Sequence, residues 1–386
     1  VTTQRRVMLY VVNDAWFLAS HRSEVVAAAI AAGYEVHIAA RRDETVEGFE
    51  AQGCHFHDWR LAPRNTGIRA EGIALVSLYR IIRALRPDTM HLITIKSLIY
   101  GGLIARGLKI PSVVFAVAGL GNFFVASSFR ERLVRAFASL SYRTVLRHPN
   151  AHVIVQNASD RELFVSNRWI DPAQVTLIRG SGVDLERFRA SPEPEGPTKV
   201  LLASRLLWRK GIREYVEAAR QIRERHPDVR FLLAGVIDGE NAQSISEDNV
   251  REWREAGTIE WRGRCDDMAA LLSECHVICL PTYYGEGLPK VLIEACASAR
   301  AVVCTDWPGC SDIVSHEDNG LLVPPRDVGA LQKALSVLIE QPDERKRMAR
   351  RGREVAEAGF SVTAVVADTL DIYAGLEREA AARIVR

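Results

Sequence analysis

Short, mostly apolar runs alternate along this chain with longer amphipathic stretches, and that rhythm leaves few folds open. Residues 7–12, 35–39, 90–94, 113–117, 153–156 and 175–178 are runs of this kind, too short to be helices. Residues 20–32, 71–85, 98–108 and 129–146 lie among them and carry apolar side chains at helical spacing. Strands buried on both faces read this way when helices return the chain from one parallel strand to the next. Such crossovers are right-handed, so a doubly wound α/β sheet is expected. Residues 190–198, ASPEPEGPT, break the rhythm with three prolines and a glycine, the composition of a linker. The rhythm then restarts, with strands expected at 199–203, 229–234, 259–262, 277–280 and 301–305 and helices at 211–225, 268–273 and 289–298. A length of 386 residues suits two domains. We expect them at 1–189 and 199–361, joined by the linker 190–198, with a Pro-free helical tail at 362–383 lying back on the first. Ligands of such sheets bind at the carboxyl ends of the strands, here in a cleft between the domains.

Lysine and arginine number 50 and aspartate and glutamate 48, a net charge of +2 that argues against a nucleic-acid partner. The balance hides an asymmetry. Residues 1–190 hold 24 basic and 16 acidic side chains, net +8, and the remainder hold 26 and 32, net −6. Seven cysteines without a Cys-x-x-Cys pair exclude a disulfide scaffold and a zinc ribbon. The thiols and histidines match no standard ligand spacing, so buried inert thiols and no metal site are expected. Residues 110–129 carry no charge, but Pro111, Gly119, Gly121, Asn122, Ser127 and Ser128 interrupt them and 113–117 fits a strand, so no membrane span is expected. Residues 1–6 do not open a signal peptide, and a cytoplasmic setting is expected.

Two segments carry chemistry. Glu286-Gly-Leu-Pro-Lys-Val-Leu-Ile-Glu294 follows the strand expected at 277–280. Pro289 suits a first helical position, Gly287 lets a ligand approach the backbone, and the helix aims unpaired N–H groups at an anion. Glu286, just ahead of that helix end, would repel phosphate and suits hydroxyls beside it; a sugar diphosphate offers both groups. The plainer reading makes Glu286 an ordinary helix-start acid and pairs Glu294 with Lys290. Ser204-Arg205-Leu-Leu-Trp-Arg209-Lys210-Gly211 follows the strand at 199–203, with Arg205 at its end and Lys210 opening the next helix. Two cations and a helix N-terminus can hold a diphosphate and stabilise it as a leaving group. The chain has no Asp-x-Asp pair to carry a metal to that diphosphate, so no divalent metal or other cofactor is expected. The plainer reading of this segment is a solvated basic loop.

Three segments resemble the carboxyl half of retaining glycosyltransferases of family 4: Ser204-Arg205-Leu-x-x-x-Lys210-Gly211, Glu286-Gly-Leu-Pro-x-x-x-x-Glu294-Ala295, and Asn319-Gly-Leu-Leu-Val-Pro324-Pro325. Ser181-Gly182-Val183-Asp184 and the residues up to Phe188 are similar to the segment before that family's linker. Residues 88–91 and Gly119-Leu-Gly121 resemble the first domain of the branch that builds capsular and polyprenyl-linked oligosaccharides. The resemblance implies the GT-B fold, two facing Rossmann-like doubly wound domains. It implies Arg205 and Lys210 on the donor diphosphate and Glu286 on hydroxyls of the donor sugar. The N–H groups of Gly287 and Leu288, ahead of Pro289, would lie near phosphate or sugar, Glu294 would hold the ribose, and Gly263 and Arg264 would lie beside the nucleobase. The implied donor is a UDP-hexose or UDP-N-acetylhexosamine and the implied acceptor a polyprenyl-diphosphate-linked saccharide, with retention at the anomeric carbon.

The chain departs from that pattern in its first half. Many relatives carry a histidine where this chain has Ala118, so that contact with the donor sugar is absent or supplied by another group. Asn13-Asp14-Ala-Trp-Phe17 stands where relatives often have glycines after the first strand, and this loop, with Asn122, is expected on the acceptor side. His91 is open between a cleft role and a packed core histidine. Phe129, Arg130, Arg132, Arg135 and Arg143 mark a basic amphipathic helix of the kind that lies on an anionic membrane; the plainer reading is a core-facing helix with an arginine-rich solvent face. The combined expectation is a glycosyltransferase peripheral to the cytoplasmic face of an inner membrane. Its rivals are a nucleotide-sugar epimerase or hydrolase on the same scaffold and a non-catalytic sugar-nucleotide-binding subunit.

Overall fold

The computed structural model describes residues 6–61, 67–117, 141–239, 241, 243–285 and 287–384. They form two compact units, residues 1–181 with 363–386, and residues 182–362. The first unit is built on β1 (Arg6–Asp14), β2 (Tyr34–Arg41), β3 (His55–Asp58), β4 (Thr89–Ile93), β5 (Ser112–Val117), β6 (Ala151–Val155) and β7 (Val175–Leu177). All pair in parallel, in the order β3-β2-β1-β4-β5-β6-β7. The second unit holds β8 (Lys199–Ala203), β9 (Arg230–Ala234), β10 (Glu260–Gly263), β11 (Val277–Leu280), β12 (Ala301–Thr305) and β13 (Leu321–Val323), again parallel, in the order β10-β9-β8-β11-β12-β13. In each sheet the strand order reverses once, between β1 and β4 and between β8 and β11. The strand ends open a crevice at such a switch point.

The apolar runs become strands because both faces of each sheet are covered. Along β1, Leu9 and Val11 enter one core cluster while Met8, Tyr10 and Val12 enter another. Along β8, Val200 and Leu202 face one core and Leu201 and Ala203 the other. This is the alternation a pleated strand imposes. β3 was not expected, because three of the four residues of its sequence His-Phe-His-Asp are polar and it sits at the sheet edge with no residue fully buried. The short β13 and the helices Glu247–Glu255, Val328–Glu340 and Pro342–Gly359 were not expected either. Helix Pro342–Gly359 is mostly charged and buries only Arg345, Met348, Ala349, Gly352 and Ala356, a stripe at helical spacing.

The chain passes between the units at 181–182 and 362–363. The two passages are tied together: the Val183 N–H donates to the Phe360 carbonyl at 2.8 Å, and the Val362 N–H to the Val183 carbonyl at 3.0 Å. Gly182 makes this possible, since it has φ +73° and a Cβ there would lie 2.6 Å from the Val362 Cα. The stretch 190–198, read above as the linker, is instead fastened within the second unit. The buried Arg300 guanidinium donates to the Ser191 carbonyl and hydroxyl at 2.8 and 2.6 Å, and the buried Arg345 makes a two-pronged pair with Glu193 at 2.8 Å. Buried guanidinium groups need acceptors, and an extended Pro-rich segment has carbonyls to spare. The tail, helix Val362–Ile384, belongs from Thr363 onwards to the first unit, where Tyr373 and Leu376 join its core. Of the uncharged run 110–129, Ser112–Val117 is the fully buried β5, and among the described residues no helix is long and apolar enough to cross a membrane.

Candidate active site

The second sheet's switch point gathers most of the described donor-side candidates. After β8 the chain passes Ser204 and Arg205, makes a 3-10 turn at Trp208–Lys210, and enters helix Ile212–Arg223 through Gly211. Lys210 therefore closes a turn rather than opening the helix. Gly211 has φ +78°, and a Cβ there would meet the Pro281 carbonyl oxygen at 2.1 Å, so the loops after β8 and β11 lie backbone to backbone. The Tyr283 N–H and the Thr282 hydroxyl both donate to the Arg209 carbonyl, at 2.9 and 3.3 Å, and stitch the loops together. In consequence the Tyr284 ring has the Lys210 ammonium 5.3 Å and the Arg205 guanidinium 5.9 Å from its centroid. Lys210 is 8% exposed, and a ring face softens the cost of burying its charge. Arg205 also lies 4.0 Å from Asp238, in the loop after β9. Sequence reasoning missed Tyr284 and Asp238; the tyrosine sits two residues before Glu286 and was the available signal.

Beyond β11, Gly287, Leu288 and Pro289 are buried and lead into helix Lys290–Ala297. Pro289 is the extended residue that precedes the first helical one, with φ −64° and ψ 112°, not the first helical residue itself; the ring's fixed φ suits either place. Glu294 is 6% exposed and lies 3.5 Å from the Lys290 ammonium, so the plainer i,i+4 pairing is present. Burial pushes its carboxyl above the usual range, and Lys290 pulls it partly back. Its two oxygens have room for about four hydrogen bonds, so pairing with Lys290 does not exhaust it. Gly263 ends β10 with φ +64°, and its carbonyl accepts the Gly235 N–H at 2.7 Å; Arg264 is exposed and pairs with Asp266 at 3.0 Å. Glu286 lies outside the described residues.

At the first sheet's switch point there is no loop of the expected kind. β1 runs to Asp14 and helix Ala15–Ala31 starts at once, with Asp14 paired to Arg41 at 2.6 Å. Asn13 accepts hydrogen bonds from the hydroxyls of Thr94 at 2.8 Å and Ser97 at 3.4 Å. Thr94 has φ +78° and ψ 153°, a conformation that costs a non-glycine residue about 1–3 kcal/mol and that clusters at functional sites. Thr94 and Ser97 were not among the sequence candidates, because Thr94 reads as the last residue of an apolar strand. His91 is a packed core histidine. It is 1% exposed, its Nδ1 lies 2.5 Å from the Tyr373 hydroxyl, and burial drives the imidazole down to about 3, so it is neutral. Ala118, Asn122, Phe129, Arg130, Arg132 and Arg135 lie outside the described residues; Arg143 is exposed, beside Tyr142, which is buried against Trp169.

Six of the seven cysteines are buried and Cys265 is half-buried, none in a disulfide. The histidines depart from the expectation of no ligand set: the pairing of β2 with β3 sets His37 opposite His55 and brings Glu35 to both. Glu-x-His and His-x-His on two strands was the signal, invisible until the strands are paired.

Comparison with known proteins agrees with this architecture. Residues 7–150 match the family described as glycosyl transferase 4-like and residues 184–355 that described as glycosyl transferases group 1. The N,N'-diacetylbacillosaminyl-diphospho-undecaprenol alpha-1,3-N-acetylgalactosaminyltransferase of Campylobacter jejuni is 28% identical over 292 residues, 72% of this chain and 75% of that protein. The UDP-Gal:alpha-D-GlcNAc-diphosphoundecaprenol alpha-1,3-galactosyltransferase of Escherichia coli is 24% identical over 80% of this chain and 81% of its own length. Among solved structures, sucrose-phosphate synthase from Thermosynechococcus elongatus superposes with a TM-score of 0.76 at 21% identity, over 96% of this chain and 99% of that one. Anabaena HepE in complex with UDP and glucose gives 0.74 at 16% identity, over 95% and 99%. The two family matches, one to each half of the chain, and the two parallel sheets agree that this protein is a glycosyltransferase of the group 1, family 4-like family with the GT-B fold.

Proposed function

We propose that this glycosyltransferase moves a hexose or N-acetylhexosamine from a UDP-sugar to a polyprenyl-diphosphate-linked saccharide, with retention and without a metal. The observation that carries the proposal is the pair of cations, Arg205 and Lys210, held at the β8/β11 switch point over the Tyr284 ring. A nucleotide diphosphate placed there meets two positive charges, and the helix Lys290–Ala297 begins just past the buried Gly287 and Leu288. The names of the two relatives, each acting on an undecaprenyl-diphosphate-linked sugar, support the acceptor class, and the UDP-Gal in the name of the second supports the donor class.

In the proposed reaction the acceptor hydroxyl attacks the anomeric carbon from the face the diphosphate leaves. The bond from that carbon to the diphosphate oxygen breaks as the bond to the acceptor oxygen forms. The departing diphosphate takes the hydroxyl proton, while Arg205 and Lys210 stabilise its negative charge. Glu294 accepts hydrogen bonds from the ribose and Glu286 from the donor sugar. A UDP-sugar panel against polyprenyl-diphosphate-linked mono- and disaccharides, with and without chelator, tests this by product mass and anomer. An inverted product, or loss of transfer on chelation, contradicts it; release of UDP at full rate without acceptor favours a hydrolase.

Attachment to an anionic membrane surface belongs to the same proposal. It draws support from helix Ile68–Leu85, where Ile68, Ile73, Val76 and Tyr79 are exposed among Arg69, Arg80 and Arg83 on one face. Liposome flotation tests it: a variant with Ile73 and Val76 changed to Ser should lose its partitioning into anionic vesicles, and unchanged partitioning contradicts this part of the reading.

A further inference from the structure

The first unit's sheet ends in a cluster of imidazoles and a carboxylate that the transfer reaction does not use. β3 is the edge strand, and its register with β2 sets His37 opposite His55 and Ala39 opposite His57. Glu35 and His37 share one face of β2, as His55 and His57 share one face of β3. The Glu35 Oε1 lies 3.2 Å from the His37 Nε2 and 3.9 Å from the His55 Nε2, and all three ligand atoms lie within 4.8 Å of one another. We propose that Glu35, His37 and His55 bind one divalent cation of the zinc class.

The distances suit such an ion. Tetrahedral zinc with nitrogen and oxygen ligands at about 2.0–2.2 Å sets its ligand atoms about 3.4 Å apart. The Glu35–His37 separation already matches, and the His55 side chain, 57% exposed, has room to turn inward by the remainder. An outer hydrogen-bond partner for His37 is also in place. His57 Nε2 lies 2.9 Å from His37 Nδ1, so a His37 that coordinates through Nε2 can donate its other ring proton to His57. A hollow of about 240 Å³ bordered by Gly33, Tyr34, Glu35, Gly53 and His55 adjoins the cluster and leaves space for a fourth ligand such as water. Two imidazoles and one carboxylate favour zinc, cobalt or nickel over magnesium, which prefers an all-oxygen shell. Because the ligands come from both strands, the ion would fasten the edge strand β3 to β2.

The test uses untagged full-length protein stripped with chelator, titrated with zinc chloride by calorimetry and with cobalt chloride by visible absorption. The expected result is one equivalent of zinc per chain, an intense cobalt band, and a raised thermal midpoint that magnesium does not reproduce. His55→Ala and Glu35→Gln change side chains that are not buried and should each weaken zinc binding more than about tenfold. His57→Phe should weaken it about 10–100-fold while keeping one equivalent, as loss of an outer partner does. Absence of stoichiometric zinc binding in the wild type, equal affinity in His55→Ala and Glu35→Gln, or competition by magnesium overturns the proposal. Sugar transfer is not a readout of this experiment, so its outcome is independent of the transfer proposal.

Discussion

Gly211→Ala tests whether the close backbone contact between the β8 and β11 loops is what assembles the cation pair. At φ +78° an alanine pays about 1–2 kcal/mol of left-handed strain. Its Cβ would also lie 2.1 Å from the Pro281 carbonyl oxygen, a backbone atom that cannot rotate away. Relieving that overlap needs a displacement of about 1 Å, since the attractive well of such a contact lies well beyond 3 Å. The two hydrogen bonds on the Arg209 carbonyl, from Tyr283 and Thr282, span the gap that must open. At about 1 kcal/mol each they bring the total to about 3–4 kcal/mol. In a unit of this size that lowers the thermal midpoint by roughly 6–16 °C. Moving Lys210 by the same distance should cost transfer about 10²-fold. Gly196→Ala is the control: it too has positive φ, +95°, but nothing lies within 4 Å of its Cβ, so it pays strain alone and keeps full transfer. Scanning calorimetry and UDP-release kinetics on both variants decide the matter. Equal midpoint shifts, or full transfer by Gly211→Ala, would refute the reasoning.

Two further predictions concern protons. If the Glu294 carboxylate must accept hydrogen bonds from the donor, kcat/KM falls as pH drops through its raised pKa. Lys290 holds that value down, so Lys290→Met moves the acid limb to higher pH and Glu294→Gln flattens it; a limb that stays in place in Lys290→Met contradicts the assignment. The same burial makes the native state hold the Glu294 proton more tightly than the unfolded chain does. This carboxyl's contribution to stability is thus present at low pH and lost as pH rises through the folded value. His91 works in the other direction. Burial holds it at about 3 in the fold, so the unfolded chain binds the extra proton below the ordinary imidazole value. Stability of the first unit should fall by up to about 1.4 kcal/mol for each pH unit below about 6.5. Urea unfolding at pH 7, 6 and 5 measures this slope, and His91→Gln should reduce it.

The parallel sheets were legible because strands buried on both faces leave an unambiguous trace. β8, β11 and β12 fall on the expected residues. β3 and helix Pro342–Gly359 left no such trace. An edge strand needs no continuous apolar run, and a helix that buries Arg345 against Glu193 hides its inward face behind a charge. At the candidate site, the positions of Arg205, Lys210 and Glu294 after the strands at 199–203 and 277–280 pointed to the carboxyl ends of those strands. Asp238, Thr94 and Ser97 became visible only once strands distant in sequence were side by side, whereas Tyr284 had a local signal, two residues before Glu286. The same holds for the histidines of β2 and β3, whose ligand geometry arises from register across roughly twenty residues and not from local spacing.

Single-turnover sugar transfer at saturating UDP-sugar by Arg205→Ala and Lys210→Ala, each with its fold checked by circular dichroism, tests the central claim most directly. If the two cations stabilise the departing diphosphate, each variant should lose about 10²–10³ in the rate of the chemical step even when the donor site is full. If either variant transfers sugar at the wild-type rate under those conditions, that residue does not hold the diphosphate, and the assignment of the β8/β11 switch point as the transfer site fails with it.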